Sequence, residues 1–350
     1  CGTHPVIPGR KPAATGSRSG DRAQGQDGIH VVISRRHLLI GVSALVTARA
    51  ARADETPALL VGARAGSGTD ALARSFAPFL ARHMQYTGFD VRNIQGSAGI
   101  AAARAVAEAS PNGLVLGWAA TPTLPARTVD RGADDLLQRI ILVGAVQKEP
   151  ICIVSPVATP LGSVQDIVER SADDAGAVPL GTPPPGSPPH LAALRLQSIA
   201  GTRLNIVAFP SAEAAREAAV AGNVAAAALS LSNAIWALRE GRLVGLGIAA
   251  KNRADIFPDM PPLRDSGLDL SAVIYRGLAT PIGLPQEIVD RLETAMQAVV
   301  ADPGFHELAD SIGFIPSWID GAAWTARAEA ERAELARLWA TEPWLQEGAG

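Results

Sequence analysis

Short apolar runs alternate with helix-period segments along this chain, and the alternation predicts an α/β fold with largely parallel sheets. Two further observations agree. Glycine-bearing loops of small residues recur where strand gives way to helix. The composition, 47% hydrophobic with only 4% aromatic, calls for a core of Ala, Val, Leu and Ile. At 350 residues the chain is long enough for two domains.

The first 33 residues are rich in Gly, Arg and Ser without periodicity, and read as disordered or as upstream sequence wrongly joined. An initial Cys in place of Met fits a fragment or a mis-set start. Residues 34–53 read as a targeting segment. Ser34-Arg35-Arg36-His37-Leu38-Leu39 is twin-arginine-like, an apolar stretch follows, and Ala51-Arg52-Ala53 is an A-x-A cleavage pattern. The stretch is too short for a stable membrane anchor. Export to the periplasm with cleavage near Ala53 is the expectation. The leader holds 8 Lys/Arg and 2 Asp/Glu, so the remainder carries a net charge of −9. That gives no basic footprint for nucleic acid.

The elements follow in order. Leu59-Leu60-Val61 is a strand, and the next helix carries Leu72, Phe76, Phe79 and Leu80 on one face. Residues 101–109 form a second helix, and Pro111-Asn112-Gly113 turns into the strand Leu114-Val115-Leu116. Residues 140–146 and 151–154 are apolar, β-branched strands. The single cysteine of the remainder, Cys152, lies in the second run and reads as a buried core thiol. Helix 189–200 stops at Gly201, strand 204–207 follows, and helix 213–221 stops at Gly222. Residues 224–229 must be a strand by order, although four alanines make it a weak one. Residues 246–249 are another strand, and helices at 286–301 and from 321 to about 338 close the chain, with Asp302-Pro303 ending the first. No internal repeat is evident.

Four loops suggest the chemistry. Arg64-Ala65-Gly66-Ser67-Gly68-Thr69-Asp70 joins a strand to a helix, and such a junction aims free N–H groups and the positive end of a helix dipole at one spot. Gly96-Ser97-Ala98-Gly99 opens a second helix. Ala119-Ala120-Thr121-Pro122-Thr123 follows a strand, and Gly181-Thr182-Pro183-Pro184-Pro185-Gly186-Ser187-Pro188-Pro189-His190 is again a strand-to-helix junction. Together they predict a polar, anion-holding pocket. Other chemistries lack their residues. There is no P-loop, no G-x-G-x-x-G after a strand and no nucleophile elbow at Ser67. Three histidines remain, His83, His190 and His306, none paired at metal-ligand spacing. A triad using Ser67 or Ser187 with His190 is marked by nothing in the sequence but stays open.

With these loops the chain resembles the Bug family, the substrate-binding proteins of tripartite tricarboxylate transporters. The landmarks are Ala65-Gly66-Ser67-Gly68-Thr69-Asp70 with Ala73-Arg74; Asn93 with Gly96 and Gly99; Pro111-Asn112-Gly113; Gly181 with Gly186 and His190-Leu191; Gly222-Asn223-Val224; Gly241-Arg242-Leu243; Phe257-Pro258-Asp259-Met260-Pro261; Asp265-Ser266-Gly267; and Pro281-Ile282-Gly283-Leu284-Pro285. The resemblance implies a two-lobed Venus-flytrap fold of two Rossmann-like α/β domains joined by crossing strands. Domain one would span 54–150 plus 276–350 and domain two 151–275, crossing near 147–153 and 275–279. It implies a monomeric, non-enzymatic protein without metal or cofactor that binds a small organic carboxylate and serves transporter membrane subunits. The candidate ligand-binding residues are Arg64, Gly66, Ser67, Gly68, Thr69, Asp70, Thr121, Thr123, Thr182, Gly186, Ser187, His190, Phe209 and Ser230. The alternatives are a periplasmic sensor of the same fold, a degenerate paralogue with weak binding, and a periplasmic α/β hydrolase.

The chain departs from this family in three places. Ala63 and Arg64 stand where an aromatic and a proline are usual, so Arg64 either pairs with a second ligand carboxylate or lies on the cleft rim. Five prolines, Pro183, Pro184, Pro185, Pro188 and Pro189, remove N–H donors from the fourth loop, leaving the Gly186 N–H and the Ser187 hydroxyl. His190 either touches ligand or bonds nearby backbone. Leu229 replaces an acidic residue that could receive an amine, which favours a plain carboxylate with an apolar or aromatic body.

Overall fold

The structure, a computed structural model, describes residues 56–158 and 161–345. The leader expectations, including cleavage near Ala53, lie outside the described residues. In chain order the elements are β1 (Ala58–Val61), α1 (Gly68–Met84), β2 (Asp90–Asn93), α2 (Ile100–Ala107), β3 (Val115–Thr121), α3 (Thr123–Asp130), β4 (Ile140–Pro156), α4 (Val164–Asp173), β5 (Pro179–Thr182) and α5 (Pro188–Ala200). They continue as β6 (Asn205–Ala208), α6 (Ala212–Val220), β7 (Ala226–Ser230), α7 (Leu231–Arg239), β8 (Leu243–Ile248), β9 (Val273–Pro281), α8 (Gln286–Ala301), α9 (Pro303–Ile312), β10 (Ile315–Asp320) and α10 (Gly321–Thr341).

The α/β expectation holds, but the sheets are mixed rather than largely parallel. In one half β1 lies between β2 and β3, all parallel. In the other β5 lies between β6 and β7, again parallel. Beyond β3 and β7 the pairing turns antiparallel. Strand β9 pairs with β3, and β4 pairs with β7, β8, β9 and β10. The two halves therefore share one strand order, although their sequences show no repeat. The two apolar runs read as separate strands are one strand, β4. It pairs with β9 from Ile140 to Pro150 and with β7 from Ile151 to Val154. The chain passes from one half to the other without leaving the extended conformation.

Period-two alternation builds four cores. Leu59 and Val61 point to a cluster with Phe76, Met296 and Phe305, while Ala58 and Leu60 point to one with Ile100, Ile140 and Trp324. Past the crossing, Ile151 and Ile153 face Leu180 and Leu196, and Cys152 and Val154 face Leu229 and Ile248. Each sheet is thus apolar on both faces and covered by helices on both. The alanines of β7 are all buried, so close packing on two faces overrides their low strand propensity. Cys152 is fully buried as read, and burial pushes its thiol up to about 12. Asp302 ends α8 as expected but also caps α9, its Oδ1 accepting the Gly304 N–H at 2.9 Å. Helices α3, α4, α7 and α9 and strand β10 were not read from the sequence.

A fifth cluster joins elements of both halves. Ala126 of α3, Leu191 and Leu194 of α5, Leu335 of α10 and Trp344 pack together. Polar contacts reinforce it. Arg195 of α5 pairs with Glu334 at 2.9 Å, and Gln197 Nε2 donates to Glu342 at 2.6 Å.

Candidate functional site

The loop after β1 folds onto itself. Ser67 caps α1, its hydroxyl accepting the Asp70 N–H at 3.3 Å, and Asp70 Oδ2 reaches back to accept the Gly66 N–H at 2.8 Å. Asp70 is buried and also accepts from Asn93 Nδ2 at 2.8 Å and from Arg74 Nε at 3.0 Å. Burial alone would raise its pKa. The bonds from Asn93, Gly66 and Arg74 outweigh burial and hold the carboxyl below its ordinary value. Asn93 Nδ2 also donates to Ala63 O at 3.0 Å, which ties the loop to the end of β2. With Gly66 and Asp70 N–H groups occupied and Ser67 N–H bonded to Arg64 O, the N–H groups of Gly68 and Thr69 are the first-turn donors left without an intrahelical partner.

The loop opening α2 lies beside it. Gly62 and Gly99 meet so closely that a Cβ on Gly62 would stand 2.8 Å from the Gly99 Cα. Just before Gly99, Ser97 and Ala98 take positive φ values of 44° and 53°, a conformation that costs a non-glycine residue about 1 kcal/mol. This packing brings Ala98 and Gly99 alongside the first turn of α1.

The loop after β5 occupies the equivalent place in the other half. Ser187 stands at the N-cap of α5 without a capping bond, its hydroxyl buried and unpartnered. Pro188 and Pro189 take the first two helical positions, where a missing N–H costs the helix nothing. The Gly186 N–H, expected to be free, instead donates to His190 Nδ1 at 3.4 Å. His190 is buried, and burial followed by the nearby Arg127 charge lowers its pKa to about 4. It is therefore neutral at physiological pH. No Ser–His pair forms here, since the imidazole bonds backbone and the Ser187 hydroxyl bonds nothing in the described protein.

Both junctions open on one cavity of about 380 Å³, within the range of small-molecule sites. Thr69, Thr123, Ser187 and Ser230 of the sequence-derived set line it. Ala98, Gly99, Asn233 and the prolines Pro183, Pro184, Pro188 and Pro189 add to the wall. Its charged lining residues are two arginines, Arg127 and Arg276, and none is an acid or lysine. Arg127 reaches from α3 to the proline-rich loop. Its Nη2 donates to Pro185 O at 3.0 Å and its Nη1 to Asp130. Trp344 Nε1 donates to the same Asp130 carboxylate at 2.8 Å. Arg276 on β9 pairs through Nη1 with Glu149 on β4, and Glu149 Oε1 accepts the Ser232 N–H of α7 at 2.7 Å.

The remaining sequence candidates do not line the cavity. Arg64 is exposed, as are Gly66 and Gly68, while Ser67 and Asp70 serve the cap. Thr121 is buried with its hydroxyl accepting from Trp324 Nε1 at 3.1 Å, and the Thr182 hydroxyl donates to Pro183 O. Phe209 packs on β5 beside Gly181, and His190 and Gly186 hold each other. Arg127, Arg276 and Asn233 were missed. The one hint of Arg276 is that it and Glu149 are opposite charges in the two crossing segments, but Gln147 and Lys148 beside Glu149 make that pattern unspecific.

Comparison with known proteins follows the same lines. The model of the TctC family, the tripartite tricarboxylate transporter family receptor, matches residues 73–334. A UPF0065 protein of Bordetella bronchiseptica is 28% identical over 279 residues, 77% of this chain and 82% of its own. Among solved structures, an R. palustris protein with adipate has a TM-score of 0.73 at 21% identity, covering 82% of this chain and 97% of its own. MatC from Rhodopseudomonas palustris with bound malate has a TM-score of 0.69 at 22% identity, covering 81% and 98%. These structural likenesses show a shared two-lobed fold.

Proposed function

Because the chain belongs to the tripartite tricarboxylate transporter receptor family, we propose that it is an exported solute-binding protein that captures an organic carboxylate between two domains and delivers it to membrane subunits of such a transporter. The observation that carries this reading is the cavity wall. Two arginines, a helix N-terminus and hydroxyls line it, with no carboxylate among the described lining residues. An anion is welcome there and an amine finds no counter-charge. The adipate and malate bound by structural relatives fit the same class. In this reading 54–150 with 276–350 forms one domain and 151–275 the other. The Thr69 and Ser187 junctions then grip the ligand from opposite sides. Closure excludes water and strengthens every bond. The membrane subunits read the population of the closed state. The protein acts as a periplasmic monomer and does no chemistry on its ligand, since among the described residues that line the cavity no nucleophile sits beside a base.

A thermal-shift screen of mono-, di- and tricarboxylates tests the reading. A binder gains about 2.7 kcal/mol of stability at a ligand concentration a hundred times Kd. If carboxylates leave the transition unmoved while a neutral or cationic solute raises it, the reading is wrong.

A further inference from the structure

Arg276 is set into the cavity by an arrangement that leaves part of its guanidinium free. It sits on β9 between Tyr275 and Gly277, opposite Ala120 of β3 and the buried Gln147 of β4. Its side chain is only 9% exposed, and it lines the cavity. One donor, Nη1, is committed to Glu149. Among the described residues the other guanidinium N–H groups have no protein partner. Glu149 is itself fully buried and is fixed on its far side by the Ser232 N–H, so it cannot turn to take a second donor without abandoning α7. The pair is thus a clamp on Arg276, with Glu149 as a positioning residue.

The position of Arg276 in the sheet sets what it can read. Val61, the last residue of β1, lies beside Trp118 on β3, and Arg276 lies one strand further over, beside Ala120. Two strand spacings and two residues of rise put their Cα atoms about 12 Å apart. Thr69, in the first turn of α1, and Arg276 both line the cavity. The intervening space is walled by Gly99, Ala119 and Ala279, which leave room for a short carbon chain.

We propose that Arg276 reads the second carboxylate of a dicarboxylate whose first carboxylate is held at the α1 N-terminus. The inference rests on the carboxylate-binding reading above and makes Arg276 the specificity-determining residue of that site. A guanidinium with one edge tied back presents its remaining donors in a fixed plane, the geometry in which a carboxylate accepts two bonds. The Glu149 charge offsets that of Arg276 when the cavity is empty, so no bare cation is buried. A monocarboxylate of the same length fills the first position and leaves those donors unanswered.

Calorimetric titration of the full chain with succinate, glutarate and adipate, against butyrate, pentanoate and hexanoate, tests this. The wild type should bind its best dicarboxylate at least about tenfold more tightly than the matching monocarboxylate. The double variant Glu149→Gln/Arg276→Gln removes both charges together and should lose that discrimination with little change for the monocarboxylate. Arg276→Lys keeps the charge beside Glu149 and should lose part of it, and it supplies the readout if the double variant does not fold. Equal losses for both ligand classes, or none, overturn the role of Arg276 while carboxylate binding stands. If the wild type binds monocarboxylates as tightly as dicarboxylates, the inference also falls. If it binds no carboxylate, the proposed function falls with it.

Discussion

Replacing Gly186 by Ala should destabilise the protein through two separable effects. Gly186 has φ +72°, a left-handed conformation that costs an alanine about 1 kcal/mol. The added Cβ would also stand 2.6 Å from Arg127 Nη2 and 2.7 Å from Trp344 Nε1. A free arginine tip would swing aside at little cost. This one is held by Asp130 and Pro185 O, and the indole is held by the same Asp130. Making room means breaking at least one charge-assisted bond inside a buried group, about 1.5–3 kcal/mol. The expected total is about 2.5–4 kcal/mol. Gly201, at the other end of α5, is the control. Its φ is +64°, but a Cβ there meets nothing within 4 Å, so Gly201→Ala should cost only the backbone share, about 1 kcal/mol. Scanning calorimetry without ligand should show Tm falling by roughly 5–16 °C for Gly186→Ala and roughly 2–4 °C for the control. If the two variants melt within about 2 °C of each other, Arg127 and Trp344 are not held as described and the tie between α3 and the proline-rich loop is not a stabilising one.

Asp70→Ala removes the acceptor shared by Gly66, Asn93 and Arg74, and should cost about 2 kcal/mol, mostly from the two neutral donors because Arg74 is half exposed. Urea unfolding checks this, and an unchanged midpoint would refute the structural role given to this carboxylate. Glu331, half-buried on α10, has its pKa raised to about 7, with burial outweighing the opposing pull of Arg327, Thr121 and Arg195. The folded state therefore binds its proton more tightly than the unfolded state. Its contribution to stability is full below about pH 4.5 and is lost as pH rises through 7, up to about 3 kcal/mol. Glu331→Gln should abolish that loss in unfolding measured at pH 5 and pH 8; a variant that keeps the wild-type pH dependence would show that Glu331 is not its source.

What could be read from the sequence divides along the range of the interactions. Strand β1 and helix α1 were legible because each is specified by neighbours within a few residues: an apolar run and a stripe at helical spacing. The reciprocal bond from Asp70 to Gly66 is equally local, and Ser67 followed three residues later by an acid is a pattern that announces it. Taking Asp70 and the Gly66 N–H as ligand groups overlooked this, since a first-turn acid already answers the dipole that an incoming anion would use. The same error recurs at α5, where His190, four residues on, holds the Gly186 N–H. Helix N-termini were thus correctly located and their free donors over-counted. The arginines failed for a different reason. Arg127 becomes part of the cavity wall only because α3 packs against a loop 58 residues away, and Arg276 only because β9 lies against β4, 127 residues from Glu149. No window of sequence carries those distances. The residues that carried the resemblance cluster in loops and turns that shape the two junctions, whereas the charges that distinguish ligands lie on the crossing strands and on α3. Family membership could therefore be read from one set of positions while ligand preference is written in another, and Arg276 belongs to the second.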